Sequence, residues 1–164
     1  MAQGDMFLKI DGARQGAIKG EARDTSHADE IDVLAWSWGM EGNYMHGQAT
    51  GKTAVRELKV VKRVDRASTA LMSALRNNEV LKEAVLTVRK AGGAEPVEYF
   101  TIRMTKARIA AISVQSSPPG EFAELTEELN IAFSKMVVEY RPQGADGGYR
   151  GSTSFEMDIY EGQS

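Results

Sequence analysis

Cysteine is absent from the 164 residues. Without a thiol there is no disulfide framework, no thiolate metal site and no cysteine nucleophile. The chain is therefore indifferent to redox compartment. Histidine is scarce, with two copies, which leaves little room for imidazole metal centres or general-base chemistry. No block of like charges is long enough to act as a tail. The net charge of −3 gives no electrostatic footprint for nucleic acid. No apolar run approaches the roughly 20 residues a membrane helix needs, so membrane insertion is not expected. The first residues, MAQGDMFLKIDG, lack a basic stretch followed by an apolar one. Export, where it occurs, is expected to use a route that reads no cleaved signal peptide.

What remains is an ordinary globular composition, 42% hydrophobic and 26% charged. The length suits one domain over 1–164. No fixed-period repeat and no dividing linker occurs. Strand signals dominate. Residues 6–10 form an apolar run that Asp11 and Gly12 close with turn chemistry. A brief strand is expected at Ile18. Residues 31–38 are apolar on both alternating faces, which predicts one strand buried on both sides. Residues 39–53, GMEGNYMHGQATGKT, hold four glycines and few core formers. They predict a long extended loop, and loops of that length are commonly functional.

Residues 55–64 return to strand, with Leu58 and Val60 on one face. One short helix follows. Ser68 is its expected N-cap, Leu71, Ala74 and Leu75 recur at helical spacing, and Asn77-Asn78 ends it. Strands are predicted over 84–90 and 97–105, joined by the hairpin connection AGGAEP, and over 108–114. A loop at 116–120 precedes residues 125–140, whose alternation suits one bent strand or two. A glycine-rich loop at 143–152 leads to a last strand carrying Phe155, Met157 and Ile159. Many strands, one helix and no strand–helix–strand alternation point to a mainly β, antiparallel two-sheet barrel or sandwich.

Several constellations contain residue types that suit a site. Glu21, Asp24, His27 and Asp29 combine imidazole and carboxylates, the right ligand types for a metal, but with no ligand spacing. A polar loop that binds its own backbone explains them more simply. A hydrolase built on Glu21, Asp24 and His27 lacks a nucleophile motif. His46 stands alone in the glycine-rich stretch. Gly51-Lys52-Thr53 resembles the end of a phosphate loop, but His46 occupies the position where that loop needs its first glycine, and no helix follows. Trp36 and Trp38 share a strand face and read as core or interface rather than a stacking platform. Arg103, Lys106 and Arg108 read as a solvated or ion-paired edge. No cofactor is implied.

The residues themselves carry a resemblance. The stretches 6–10 (MFLKI), Lys19-Gly20-Glu21, His27, 30–39 (EIDVLAWSWG), Asp65-Arg66-Ala67-Ser68, Leu71-Met72, 84–93 (AVLTVRKAGG), Val97-Glu98-Tyr99 and 125–140 resemble the Hcp family. These are the haemolysin-coregulated tube proteins of bacterial type VI secretion. The likeness runs through nearly the whole chain. It departs in the 13–16 loop, in Thr69 where members often carry proline, and in the C-terminal strand.

The resemblance implies a two-sheet β-barrel with a helix on one side and a function without bond chemistry. It implies homohexameric rings that stack into a hollow tube. Its other partners would be a contractile sheath, a spike protein and secreted effectors. It implies assembly in the cytoplasm followed by secretion. On this reading Gly39, Glu41, Asn43, Tyr44, Met45, His46, Gln48 and Lys52 are expected to contribute to ring stacking. Glu21, Asp24, His27, Trp36 and Trp38 are expected to fix structure or a subunit contact. The competing reading is a monomeric barrel around a small apolar ligand.

Overall fold

Alternating inward and outward side chains make two antiparallel layers with the apolar residues between them. The protein, a computed structural model, is described over residues 5–49, 51–90, 97–116, 124–142 and 151–159. In chain order these residues form β1 (Met6–Gly12), β2 (Gly16–Ile18), β3 (Ile31–Asp32), β4 (Ala35–Ser37), β5 (Met40–Glu41), β6 (Tyr44–Met45), β7 (Gln48–Ala49) and β8 (Ala54–Val55). Then follow β9 (Leu58–Arg63), α1 (Ala67–Arg76), β10 (Leu81–Lys90), β11 (Val97–Ser116), β12 (Leu125–Ala132), β13 (Lys135–Tyr140) and β14 (Thr153–Asp158). The AGGAEP connection and most of the 116–120 and 143–152 loops lie outside the described residues.

The first layer runs β2–β1–β10–β11–β13–β14, with β3 also on β1. The second runs β11–β12–β9–β4. β11 belongs to both. Its first half pairs with β10 as far as Ala107 and with β13 over 100–105; its second half pairs with β12 from Arg108. Between the halves Lys106 has φ +50°, and the backbone turns there from one layer into the other. Residues 97–105 and 108–114, expected as separate strands, are thus one bent strand. Residues 125–140 are two, β12 and β13, and their junction lies beside the same bend. Ser134 Oγ donates to the Lys106 carbonyl at 3.2 Å.

The second crossing corrects the expectation for 31–38. These residues do not form one strand buried on both sides. Val33 N–H donates to the Met6 carbonyl in the first layer, and Leu34 N–H donates to the Val61 carbonyl in the second. The chain changes sheet within two residues, which splits the run into β3 and β4. In β4 Ala35 and Ser37 are exposed and Trp36 is half-buried. Two-sidedness here reflects a change of layer rather than double coverage. At this corner the chain itself joins the two layers.

Leu8, Ile10, Ile31, Leu58, Val60, Leu71, Leu81, Leu86, Ile102, Met104, Leu129, Ile131 and Met136 fill the space between the layers, all at or below 1% exposure. Each such side chain contributes on the order of 1.5–3 kcal/mol by leaving water. A packed interior of this kind gives no support to the apolar-ligand reading. α1 packs Leu71 and Ala74 onto this core. Its start differs from expectation. Ser68 lies inside the first turn, and Asp65 does the capping: its Oδ1 accepts the Ala67 N–H at 3.0 Å, while Ser68 Oγ accepts the Asp65 N–H at 2.9 Å. This reciprocal pair meets the orphan amides from both sides.

The same pair reaches a buried lysine. Lys62 continues the inward face of Leu58 and Val60, and Glu127 continues that of Ile131 and Leu129; the two oppose each other in the β9–β12 register. Both are fully buried. Lys62 Nζ donates to Glu127 Oε1 at 2.6 Å, Asp65 Oδ1 at 2.8 Å and Ser68 Oγ at 3.2 Å. All three ammonium hydrogens are thereby satisfied, as a charge withdrawn from water requires.

Candidate functional site

Two features stand outside the barrel wall. The first is residues 39–55. They form an arm, a hairpin in two tiers, where a loop was expected. β5 pairs with β8 (Met40 opposite Val55) and β6 pairs with β7 (Met45 opposite Gln48). The tip turns through His46 and Gly47, with φ +54° and +82°. Two successive positive φ values match the twist of a two-residue hairpin turn, so His46 serves geometry here. The root is pinned. Arg56 N–H donates to the Gly39 carbonyl at 3.0 Å, Trp38 Nε1 donates to the Arg56 carbonyl at 2.8 Å, and Arg56 is ion-paired with Glu41.

The arm projects. Glu41, Asn43, His46, Gln48 and Lys52 are exposed. So are its apolar residues: Met40 at 45%, Tyr44 at 68% and Met45 at 62%. The Tyr44 ring lies against Gly42, where a Cβ would overlap it. Beside the root, Met40 and Val55 line an open groove with Phe155 and Met157. Apolar side chains ordered on an exposed hairpin are costly in water unless another surface covers them.

The second feature is a strap, residues 19–30, laid across the outer face of the first layer. Phe7 points outward from β1, away from the main core, yet is only 2% exposed. The strap covers it. His27 stacks on the Phe7 ring with centroids 4.5 Å apart and planes 9° apart. Arg89 of β10 sits 5.0 Å from the same ring's centroid. The three expected residues do not converge. Glu21 accepts the Arg66 N–H at the start of α1, at 2.6 Å; Asp24 pairs with Arg89 at 2.7 Å; His27 contacts Glu30 and Glu98 through opposite ring nitrogens. Asp29 adopts φ +65° and its carbonyl accepts the Gly20 N–H. No three histidine or acidic side chains are grouped to hold a metal among the described residues, and no helix among them is long and apolar enough to cross a membrane.

The charges of the strap are tuned by these contacts. The Arg89 guanidinium, through its hydrogen bond, lowers the Asp24 carboxyl from 3.8 to about 2 against the opposing effect of burial. A depressed carboxylate stabilises the fold above its unfolded value and loses that contribution as pH falls through the folded one. Acid unfolding of Asp24→Asn is therefore expected to lack the component that the parent loses between about pH 4 and 2. Superimposable acid profiles would refute the pairing. Burial raises Glu79, but three hydrogen bonds outweigh it and leave its carboxyl lowered. They come from the Arg14 and Gln15 N–H groups and the Gln15 side chain, at 2.8–3.0 Å, and they fix the β1–β2 turn.

The remaining residues are placed more plainly. Trp36 stacks on Phe100 across the two layers, with centroids 5.6 Å apart. Arg103 pairs with Glu83, and Arg108 donates to the Asn78 carbonyl. Lys106 marks the bend. Sequence reasoning missed Phe7, Arg89, Glu98, Lys62 and Glu127. For the last two the signal was present, because each occupies an inward step of an otherwise apolar alternation.

A family model described as type VI secretion system effector, Hcp, matches residues 7–140. The chain belongs to the Hcp family of type VI secretion. The matched span takes in strap, arm and barrel through β13 and leaves β14 outside. Among Hcp relatives, protein hcp1 of Pseudomonas aeruginosa is 41% identical over 151 residues, covering 90% of this chain and 89% of that one. Hcp1 from Salmonella typhimurium superimposes with a TM-score of 0.76 at 32% identity, over 98% of this chain and 97% of that one. A type VI secretion system effector from Yersinia pestis gives 0.73 at 32% identity, over 94% and 100%. A further type six secretion system protein, with a TM-score of 0.84 over 98% of each chain at 23% identity, shares the fold. The Hcp family is one of secreted tube proteins.

Proposed function

We propose that the chain is the tube-forming subunit of a type VI secretion system. Homohexameric rings assemble in the cytoplasm and stack through the arm into a hollow tube within a contractile sheath. Contraction ejects the tube behind a spike protein, with effectors inside. The protein itself does no bond chemistry. One observation carries this reading beyond family membership: the arm is an ordered hairpin that exposes Met40, Tyr44 and Met45 without covering its own barrel. Such a surface suits a head-to-tail contact with another copy. Heterologous contacts close into rings when the rotation permits and continue as filaments along an axis when it does not.

Negative-stain imaging of the purified protein tests the assembly. Rings with a central hole are expected, and uniform small monomers would undo the proposal. Deleting residues 42–49 removes the arm's outer tier and keeps the β5–β8 root. The variant is expected to retain the parent's circular dichroism and thermal midpoint but to form shortened tubes and secrete poorly. Normal tube length and secretion would remove the arm from the mechanism.

A further inference from the structure

The strap is held by an arrangement that a neutral histidine does not satisfy. His27 Nδ1 lies 3.0 Å from Glu30 Oε2, and Nε2 lies 2.5 Å from Glu98 Oε1. An ionised carboxylate only accepts hydrogen bonds, and a neutral imidazole carries a single N–H. Both contacts are hydrogen bonds only when both ring nitrogens bear hydrogen. The ring has no easy alternative. It is 9% exposed and stacked flat on Phe7, so turning to water would uncover Phe7.

The charged groups facing it come from every neighbouring element. Glu30 and Asp24 lie on the strap and Glu98 on β11; Arg89 of β10 lies 5.0 Å from the centroid of the Phe7 ring. Asp5, ahead of β1, stands 3.8 Å from Arg89, and Asp32 of β3 opposes Phe7 in register. Carboxylates outnumber the single guanidinium, and Arg89 already holds Asp24.

We infer that His27 is a protonation-dependent clasp: as the imidazolium it ties the strap to β11 through Glu98, and on giving up a proton to solvent it releases that tie. Glu98 is the end that lets go. Its side chain is 36% exposed and reaches water readily, whereas Glu30 is 17% exposed. Glu30 also stays beside the ring through its own N–H to the His27 carbonyl at 3.1 Å. After release the strap keeps Glu21 on the Arg66 N–H and Asp24 on Arg89. Its grip on the barrel wall is then looser in alkaline than in acidic solution. The clasp lies within one subunit and acts with or without assembly.

Amide hydrogen exchange tests it. Gly20, Ala22 and Asp29 donate within the strap and report its closure. Their protection factors, corrected for intrinsic exchange, are followed by NMR from about pH 5 to 9 together with the His27 ring nitrogens. Asp24, held at about 2, does not titrate in that range, and His46 is read by its own signals at the arm tip. Protection is expected to fall about five- to tenfold as the ring loses its proton, while amides inside β11 hold steady.

In Glu98→Gln the amide offers an acceptor to one ring form and a donor to the other, so the contact survives both and the profile flattens. Where that variant fails to fold, His27→Gln replaces it, with a side chain that does not titrate and an equally flat profile expected. Unchanged protection across the ring's titration in the parent overturns the clasp. So does a slope in either variant as steep as the parent's.

Discussion

Glu127→Ala is expected to lower folding stability by about 3–5 kcal/mol, because it leaves a buried lysine charge without its main partner. Glu127 and Lys62 are both fully buried and 2.6 Å apart across the β9–β12 ladder. Asp65, at 2.8 Å, and Ser68, at 3.2 Å, remain beside Lys62 in the variant. They are tied to the start of α1 as well, so strain at the lysine passes to the helix cap. Urea denaturation of the folded subunit measures the loss. A decrease below about 1 kcal/mol would mean that the ammonium finds water or another anion. The double replacement Lys62→Met with Glu127→Leu separates charge from packing. It is expected to recover most of the loss, since hydrophobic residues of similar volume often replace a buried pair at little cost.

Gly20→Ala is the second large effect, expected at about 1–3 kcal/mol. A Cβ at Gly20 would lie 2.6 Å from the Glu30 carbonyl oxygen, 2.8 Å from Ile31 Cα and 2.9 Å from Ile31 Cγ1. Two of these are backbone atoms. They are held by hydrogen bonds from Gly20 N–H to the Asp29 carbonyl and from Ala22 N–H to the Glu30 carbonyl. The new methyl can be accommodated only by opening the strap or moving β3. The damage should be local first, so limited proteolysis in the strap should rise before the global midpoint moves far. Gly39→Ala is the control. Nothing lies within 4 Å of its Cβ position, and a change within about 0.5 kcal/mol is expected. Equal losses at the two glycines would contradict the steric account.

Periodicity made the barrel legible. Strands with one inward face, such as β9 and β12, were read from alternation, and α1 from its 3.6-residue spacing. The misreadings of strand limits share one cause. Alternation reports which way a side chain points, but not which layer it points from. At Lys106 and at Val33-Leu34 the backbone passes between layers, so local pattern alone divided β11 and fused β3 with β4. The arm was visible as an unusual composition. Its hairpin character rests on His46 and Gly47 both taking positive φ, a conformation that an Asn-Gly or Asp-Gly pair would have advertised more clearly. The strap's partners, Arg89 and Glu98, lie more than sixty residues from Asp24 and His27, beyond any local signal. The family resemblance pointed to a two-sheet barrel with one helix, but to none of these contacts.

The register of β1 against β10 has a consequence for biosynthesis. Met6 meets Val88 and Ile10 meets Ala84, so the first strand waits for a partner made much later. At about 5–20 residues per second on the ribosome, the delay is roughly 4–16 s. During that time Leu8 and Ile10 have only the short hairpin with β2 and the two-residue pairing with β3 to shelter them. Such non-local closure folds slowly and exposes apolar strand while it waits. The nascent chain is therefore most sensitive to premature self-association before residue 90 has cleared the exit tunnel, and slower translation of the first half lengthens that window.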